Sequence, residues 1–212
     1  MADLKLLYDA IIQGDAKGAV SATREAIAEN AAPINLITDY MVPAMDKVGR
    51  LFECEEYFVP ELLLSARAMK ASMDLLRPLL AAAGVKATGK VVIGTVKGDL
   101  HDIGKNLVAS MLEGGGFEVF DLGVDVSPDK FVAAVRKHQA QIVCLSTLLT
   151  VTMPSMKAVI DALANAGLRP GVKVLIGGAP VTNQFGQDIG ADGYGESASA
   201  AVTLARNAIA TA

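Results

Sequence analysis

Tryptophan is absent, aromatic residues make up 5% of the chain, and there are only two cysteines and two histidines. With so few aromatics, the 52% hydrophobic content comes mainly from Ala, Val, Leu and Ile, the material of helix and sheet interiors. Cys54 and Cys144 are too few for a disulfide framework and do not stand at a metal-binding spacing. No uninterrupted run of about 18 apolar residues occurs, so no membrane span is expected. The start, Met1-Ala2-Asp3-Leu4-Lys5, has no basic segment leading into an apolar one, and no secretory signal is read there. Lys and Arg number 19 against 23 Asp and Glu, a net charge of -4 with no basic stripe. Nucleic-acid binding therefore has no electrostatic support. There is no internal repeat or low-complexity tract. The simplest expectation is a cytoplasmic chain whose 212 residues bury one sizeable core or two modest ones.

What is present divides near residue 84. Before it, every periodic stretch is helical. Leu4, Leu7, Tyr8, Ile11 and Ile12 follow helical spacing up to Gly14-Asp15, and a second helix runs from about Asp15 to Glu29 with Ala19, Ala22, Ala26 and Ile27 inward. A third begins at Pro33 and carries Ile34, Ile37, Met41, Met45, Val48 and Phe52, with a kink or break expected at Pro43. Pro60 opens a fourth, on which Leu62, Ala66, Met69, Met73, Leu76 and Leu80 recur at spacings of three and four. Four such helices with short connections make a bundle. After Gly84 to Gly89, strands alternate with helices. Val91 to Val96, Phe117 to Leu122, Gln141 to Leu145, Val172 to Ile176 and a short Ala191 to Tyr194 read as strands. Ser127 is placed as the N-cap of the helix opening at Pro128. Strands and helices in this alternation predict a doubly wound parallel sheet.

Parallel strands bring their carboxyl-terminal loops to one edge, where open sheets bind ligands. The first loop, Gly98-Asp99-Leu100-His101-Asp102-Ile103-Gly104-Lys105-Asn106, carries a histidine with carboxylates on both sides. The third, Ser146 to Met153, offers the hydroxyls of Ser146, Thr147, Thr150 and Thr152; the fourth contains Gly177-Gly178, and the fifth runs Tyr194 to Ser197. Taken singly these residues admit plain readings. His101 is a solvated loop residue or a metal ligand, Asp99 or Asp102 an N-cap or the partner of its second nitrogen, and Gly177-Gly178 a tight turn or a bare surface for close approach. One histidine cannot complete a protein-only zinc or iron site. A metal at His101 would have to come inside a macrocycle that brings the other ligands. Cys54 reads as a buried structural thiol and His138 as a solvated helix end.

The pieces stand in the order Asp99-x-His101-x-x-Gly104, 41 residues, Ser146-x-Leu148, 28 residues, Gly177-Gly178. This resembles the signature of base-off, His-on cobalamin-binding domains. Gly49-Arg50-Leu51-Phe52, Tyr57-Phe58-Val59-Pro60-Glu61 and Ser65-Ala66-Arg67-Ala68-Met69-Lys70 are similar to the helical cap of cobalamin-dependent methionine synthase. The resemblance covers nearly the whole chain. It implies an N-terminal four-helix cap over residues 1-84, a linker at 85-89, and a Rossmann-like (flavodoxin-like) domain at 90-212 with a doubly wound parallel five-stranded sheet. A free-standing cap and cobalamin module is the form of the corrinoid carrier proteins in multi-component methyltransferase systems for methanol, methylamines or methoxylated aromatics.

From that resemblance His101 is expected as the lower axial ligand of cobalt, displacing the dimethylbenzimidazole base. The nucleotide tail is expected in a crevice beside Gly104, Ser146, Leu148 and Gly177-Gly178. Gly98, Leu100, Asp102, Ile103, Thr150, Tyr194, Gly195 and Glu196 complete the cofactor-binding set. Asp99 would take the second imidazole proton, and Thr152 stands where the family relay has a serine. Phe52 and Val59 match positions that cover the upper corrin face, though both also fit ordinary bundle core. The implied role is a carrier subunit rather than a complete catalyst. Its partners would be a donor-specific methyltransferase and an acceptor methyltransferase, both barrel enzymes, and a reactivating reductase. Other readings are a cobalamin-binding regulator or sensor without catalysis, an adenosylcobalamin mutase subunit, and a flavodoxin-like or receiver-like domain without the cofactor.

Overall fold

The computed structural model describes residues 3-83 and 88-210. The chain divides into two compact units, Met1–Ala87 with Glu113–Gly116, and Thr88–Leu112 with Phe117–Ala212. Residues 85-87 of the expected linker lie outside the described residues.

The first unit is helical. Asp3 and Asp15 cap α1 (Leu4–Ile12) and α2 (Ala16–Ala28) by accepting first-turn amide protons, with Asp15 Oδ1 taking those of Lys17 and Gly18. The single helix expected from Pro33 to Phe52 is three segments: α3 (Pro33–Leu36), a π-helical turn (Ile37–Met41) and α4 (Val42–Glu53). The reason is Pro43. It has no amide proton to give and its ring would strike the carbonyl four residues earlier, so the chain widens ahead of it, with Val42 N donating to Ile37 O. The fourth helix, α5 (Val59–Ala82), runs on through Pro78. Leu7, Ile11, Met41, Met45, Leu62, Met69 and Leu76 are fully buried, on the predicted faces, whereas in α3 Leu36 is buried and the expected Ile34 is 39% exposed, because the π turn shifts the register of the face ahead of Pro43. Two residues of the sequence motifs have a structural task here: Tyr57 Oη and Ser65 Oγ both donate to Ile12 O, a carbonyl at the end of α1 that the helix itself leaves open. Cys54 is exposed, not buried as expected, because it follows the last turn of α4 at its C-cap.

The second unit is a five-stranded parallel sheet in the order β2-β1-β3-β4-β5, formed by β1 (Lys90–Thr95), β2 (Glu118–Asp121), β3 (Ile142–Ser146), β4 (Lys173–Gly177) and β5 (Gly193–Tyr194). The connecting helices are α6 (Ile103–Gly114), α7 (Pro128–His138), α8 (Pro154–Asn165), α9 (Asn183–Ile189) and α10 (Ala198–Ala210). Helix α9 has no counterpart in the sequence reading. It is seven residues long, opened by Thr182 Oγ1 accepting from Phe185 N and closed by Gly190 in a left-handed conformation. Val92, Val96, Val143, Leu145, Val174 and Ile176 face one side of the sheet and pack with Phe131, Met156, Val159 and Leu163. Cys144 alternates to the other side, where burial pushes its thiol up to about 12 and leaves it inert. Ser127 precedes α7 as expected, but its side chain makes no capping bond. His138 is half-buried rather than solvated and stacks on Phe120, ring centroids 3.7 Å apart. Among the described residues no helix is long and apolar enough to cross a membrane.

Phe131 is the largest fully buried side chain of this core apart from Phe117. Phe131→Ala is expected to cost about 3 to 5 kcal/mol in urea denaturation. Phe58→Ala, at a side chain that is 62% exposed, should change stability by no more than about 0.5 kcal/mol.

Candidate functional site

Strand order decides where the site lies. From β1 the chain steps outward to β2, then crosses back to the other side of β1 for β3, so β1 and β3 are neighbours at the point where winding reverses. A crevice opens outside the carboxyl ends of two such strands. Thr95 pairs with Ser146, and Ser146 with Gly177, so three of the unusual loops begin side by side.

At their meeting point is Asp99, fully buried. Its Oδ1 accepts from His101 N at 3.0 Å and from the ring nitrogen Nδ1 of His101 at 2.8 Å. Its Oδ2 accepts from Leu148 N at 2.7 Å, Thr147 Oγ1 at 2.8 Å, Thr152 Oγ1 at 3.1 Å and Leu149 N at 3.3 Å. Burial on its own raises the pKa of a carboxyl. Here the bonds from His101 N, Leu148 N, the His101 ring and Thr147 outweigh it and hold Asp99 far below the usual carboxylate range. An ionised carboxylate only accepts, so Nδ1 of His101 carries a proton, and in the neutral ring it is Nε2 that presents the lone pair. The ring is half exposed, and no partner meets Nε2 among the described residues. Thr95 Oγ1 holds the His101 carbonyl at 2.8 Å and completes the turn.

Thr147 was not singled out by sequence reasoning, because its hydroxyl looked equivalent to those at 150 and 152. The structure separates them. Thr147 and Thr152 are buried and 2.5 Å apart at Asp99, whereas Thr150 is exposed and takes no part. The Asp102 carboxylate accepts from Asn106 Nδ2 at 3.1 Å on the first turn of α6. Lys105 is also buried there and pairs with Asp121 at the end of β2. Tyr194, Gly195 and Glu196 lie at the same sheet edge, beyond β4, and no bond around Asp99 involves them.

The glycines differ from the reading of a bare binding surface. A Cβ on Gly178, at φ +134°, would lie 1.8 Å from Thr147 O, and one on Gly177 would lie 3.0 Å from Gly195 O. Their missing side chains make room for the protein's own backbone, which seats the Thr147 loop. At Gly104, by contrast, a Cβ would meet nothing within 4 Å. Around it the two loops expose large apolar side chains: Ile103 and Val151 are each 80% exposed and Leu100 72%, with Leu148 and Leu149 also outside. Such side chains in water are costly unless something flat and apolar covers them. In the helical unit Phe52 is half-buried and Val59 is exposed, so Val59 is not bundle core.

Among the described residues no three His, Cys, Asp or Glu side chains converge as a metal site. One orientated imidazole, set beside an apolar platform at a winding reversal, defines a class: a ligand-binding module on an open parallel sheet. Comparison with known proteins gives the same class a family. Residues 89–203 match a family model described as a B12 binding domain, and residues 4–77 match a second model of the same description. The chain is 42% identical over 203 residues to a trimethylamine corrinoid protein of Methanosarcina acetivorans, covering 95% of this chain and 94% of the relative. A crystal structure of a cobalamin-binding protein from Desulfitobacterium hafniense is 37% identical, with a TM-score of 0.80 over 98% of this chain and 99% of that one. The methanol:cobalamin methyltransferase complex of Methanosarcina barkeri contains a chain 33% identical, with a TM-score of 0.86 over 99% of this chain and 80% of that one. The protein belongs to the B12-binding corrinoid proteins.

A carboxyl held below its ordinary value near 3.8 contributes stability that is complete above about pH 4 and is lost as pH falls further. The ligand-free Asp99→Asn variant should therefore be less stable than wild type at neutral pH by about 1 to 3 kcal/mol. Unfolding followed at stepped pH should show that gap closing as the solution is acidified; a gap independent of pH contradicts the ionised, bonded carboxylate. Gly178→Ala should destabilise by about 3 kcal/mol, through its left-handed backbone and its collision with Thr147 O.

Proposed function

We propose that this protein carries a methyl group on the cobalt of a bound corrinoid, shuttling it between two partner enzymes, with His101 Nε2 as the protein's ligand to the metal. The observation that carries this reading is the imidazole itself, its Nδ1 bonded to buried Asp99 at 2.8 Å and its Nε2 free on an apolar platform. The cobalt would supply the centre that accepts and releases the methyl group. Everything else falls to side chains of this chain.

Asp99 fixes the tautomer and ring direction of His101 and raises its basicity as a ligand. The Thr147 hydroxyl helps to keep Asp99 ionised, and Thr152, standing in for the family serine, lies against both Thr147 Oγ1 and the Asp99 carboxylate. Leu100, Ile103, Leu148 and Val151 cover the lower face of the macrocycle and exclude water from it. Gly98, Asp102, Gly104, Ser146, Thr150, Gly177, Gly178, Tyr194, Gly195 and Glu196 border the crevice assigned to the nucleotide tail.

The similar chains named above are titled for two methyl sources, trimethylamine and methanol. The donor is accordingly assigned to the partner methyltransferase, not to this carrier. A second methyltransferase passes the methyl group to its acceptor, both partners are barrel enzymes, a reductase restores the metal after accidental oxidation, and the cycle runs in the cytoplasm.

The test is the absorption spectrum of purified protein reconstituted with hydroxo- or methylcobalamin, compared with His101→Ala. Wild type is expected to retain one corrinoid with a base-off, His-ligated spectrum that the variant lacks. Failure to retain corrinoid, or identical spectra, overturns the reading.

A further inference from the structure

The loop that carries His101 is gripped from both sides, and only one grip belongs to the sites already described. On the β3 side the Asp99 carboxylate meets Thr147, Leu148, Leu149 and Thr152. On the β2 side, besides the Lys105–Asp121 pair at the start of α6, the grip on Gly98 and Asp99 is Asp125. Its carboxylate oxygen Oδ1 accepts from Gly98 N at 2.8 Å, and its own backbone N donates to Asp99 O at 3.0 Å. The two bonds clasp consecutive residues of the His101 loop, one through a side chain and one through the main chain.

Two further observations set this clasp apart from an ordinary loop contact. Asp125 has φ +52°, a left-handed conformation that non-glycine residues adopt at a cost, and Gly98 opposite it has φ +87°. Both unusual conformations meet at this one contact. The segment is also seated next to it, since Val126 bridges Val96 and Val126 N donates to Thr95 O at 3.0 Å. Asp125 is exposed and has no apolar burial to account for its conformation.

The geometry has a direct consequence for Asp99. The Asp125 carboxylate on Gly98 N and the Asp125 amide on Asp99 O together fix the main chain from which the Asp99 side chain leaves toward the β3 loop and His101 Nδ1. Without the carboxylate, the turn that carries the Asp125 amide is no longer tied to Gly98. We infer that Asp125 is a positioning residue for the metal-ligating histidine, acting through the backbone of Gly98 and Asp99 without touching the cofactor. This inference rests on the function proposed above, which made His101 the ligand; the clasp itself is a feature of the ligand-free chain.

Three substitutions separate acceptor from strain. Asp125→Asn keeps an acceptor oxygen and tolerates the left-handed conformation. Asp125→Gly relieves the strain and removes the acceptor. Asp125→Ala removes the acceptor and keeps the strain. The first readout is solvent exchange of the His101 Nδ1 proton in ligand-free, 15N-histidine-labelled protein, measured by NMR beside the thermal midpoint. The second is titration with hydroxocobalamin, reading affinity and the His-ligated spectrum.

Asp125→Gly is expected to keep a midpoint near wild type, to exchange the Nδ1 proton about tenfold faster, and to bind corrinoid about tenfold more weakly with loss of His-ligated spectrum. Asp125→Asn should restore both readouts. The inference is overturned if Asp125→Gly matches wild type in both, if Asp125→Asn fails along with it, or if the thermal midpoint collapses with the other signals. Should wild type itself take up no corrinoid, the functional reading falls while the exchange measurement still decides the clasp.

Discussion

A carboxylate buried without compensation is among the most costly groups a fold can contain, and the sheet unit is arranged around avoiding that cost at Asp99. Two backbone amides of the β3 loop, two threonine hydroxyls, one amide of its own loop and the imidazole of His101 all point at its two oxygens. Each donor needs its loop in one conformation. The β3 loop must turn so that Leu148 and Leu149 offer their amides inward, which sends their side chains outward into the apolar platform. The same satisfied carboxylate thereby orients the imidazole and builds the surface beside it.

That demand reaches outward to residues far from the chemistry in sequence. Thr147 can approach Asp99 only because Gly178 has no side chain to occupy the space of the Thr147 carbonyl. The glycine pair at the end of β4 is thus a support for the hydroxyl pair at the end of β3. On the opposite flank Asp125 holds the Asp99 carbonyl. Three strands therefore contribute to the direction of one histidine ring. The helical unit follows a different logic, with a dense core of Leu, Ile and Met and an apolar edge at Phe58, Val59 and Leu63 that its own packing leaves outside.

Much of this was legible residue by residue. The helical periodicities, the five strands and the link from Asp99 to His101 follow from local pattern and spacing, because a two-residue separation brings the carboxylate to its own loop's imidazole. Other features were not. Pro43 announced a disruption but not that a π turn would absorb it upstream. Helix α9 escaped because seven residues carry too little periodicity to register, its cap and closing glycine being the only marks. Cys54 and His138 were misread because burial of a single residue depends on what packs over it. The end of α4 leaves Cys54 outside, and Phe120, from a strand eighteen positions earlier, lies against His138.

The sequence by itself determined the alternation of elements, the family to which the chain belongs and the pairing of Asp99 with the imidazole two residues on. These depend on residue identity and near-neighbour spacing, which a string of letters contains. Tertiary structure alone decided the strand order, and with it the neighbours of the His101 loop. Thr147 rather than Thr150 reaches Asp99, Gly178 serves backbone before ligand, and Asp125 becomes part of the site, because contacts across separate strands depend on which strand lies beside which. Each strand's hydrogen-bonding edge accepts several partners, and only packing of the whole sheet selects among them.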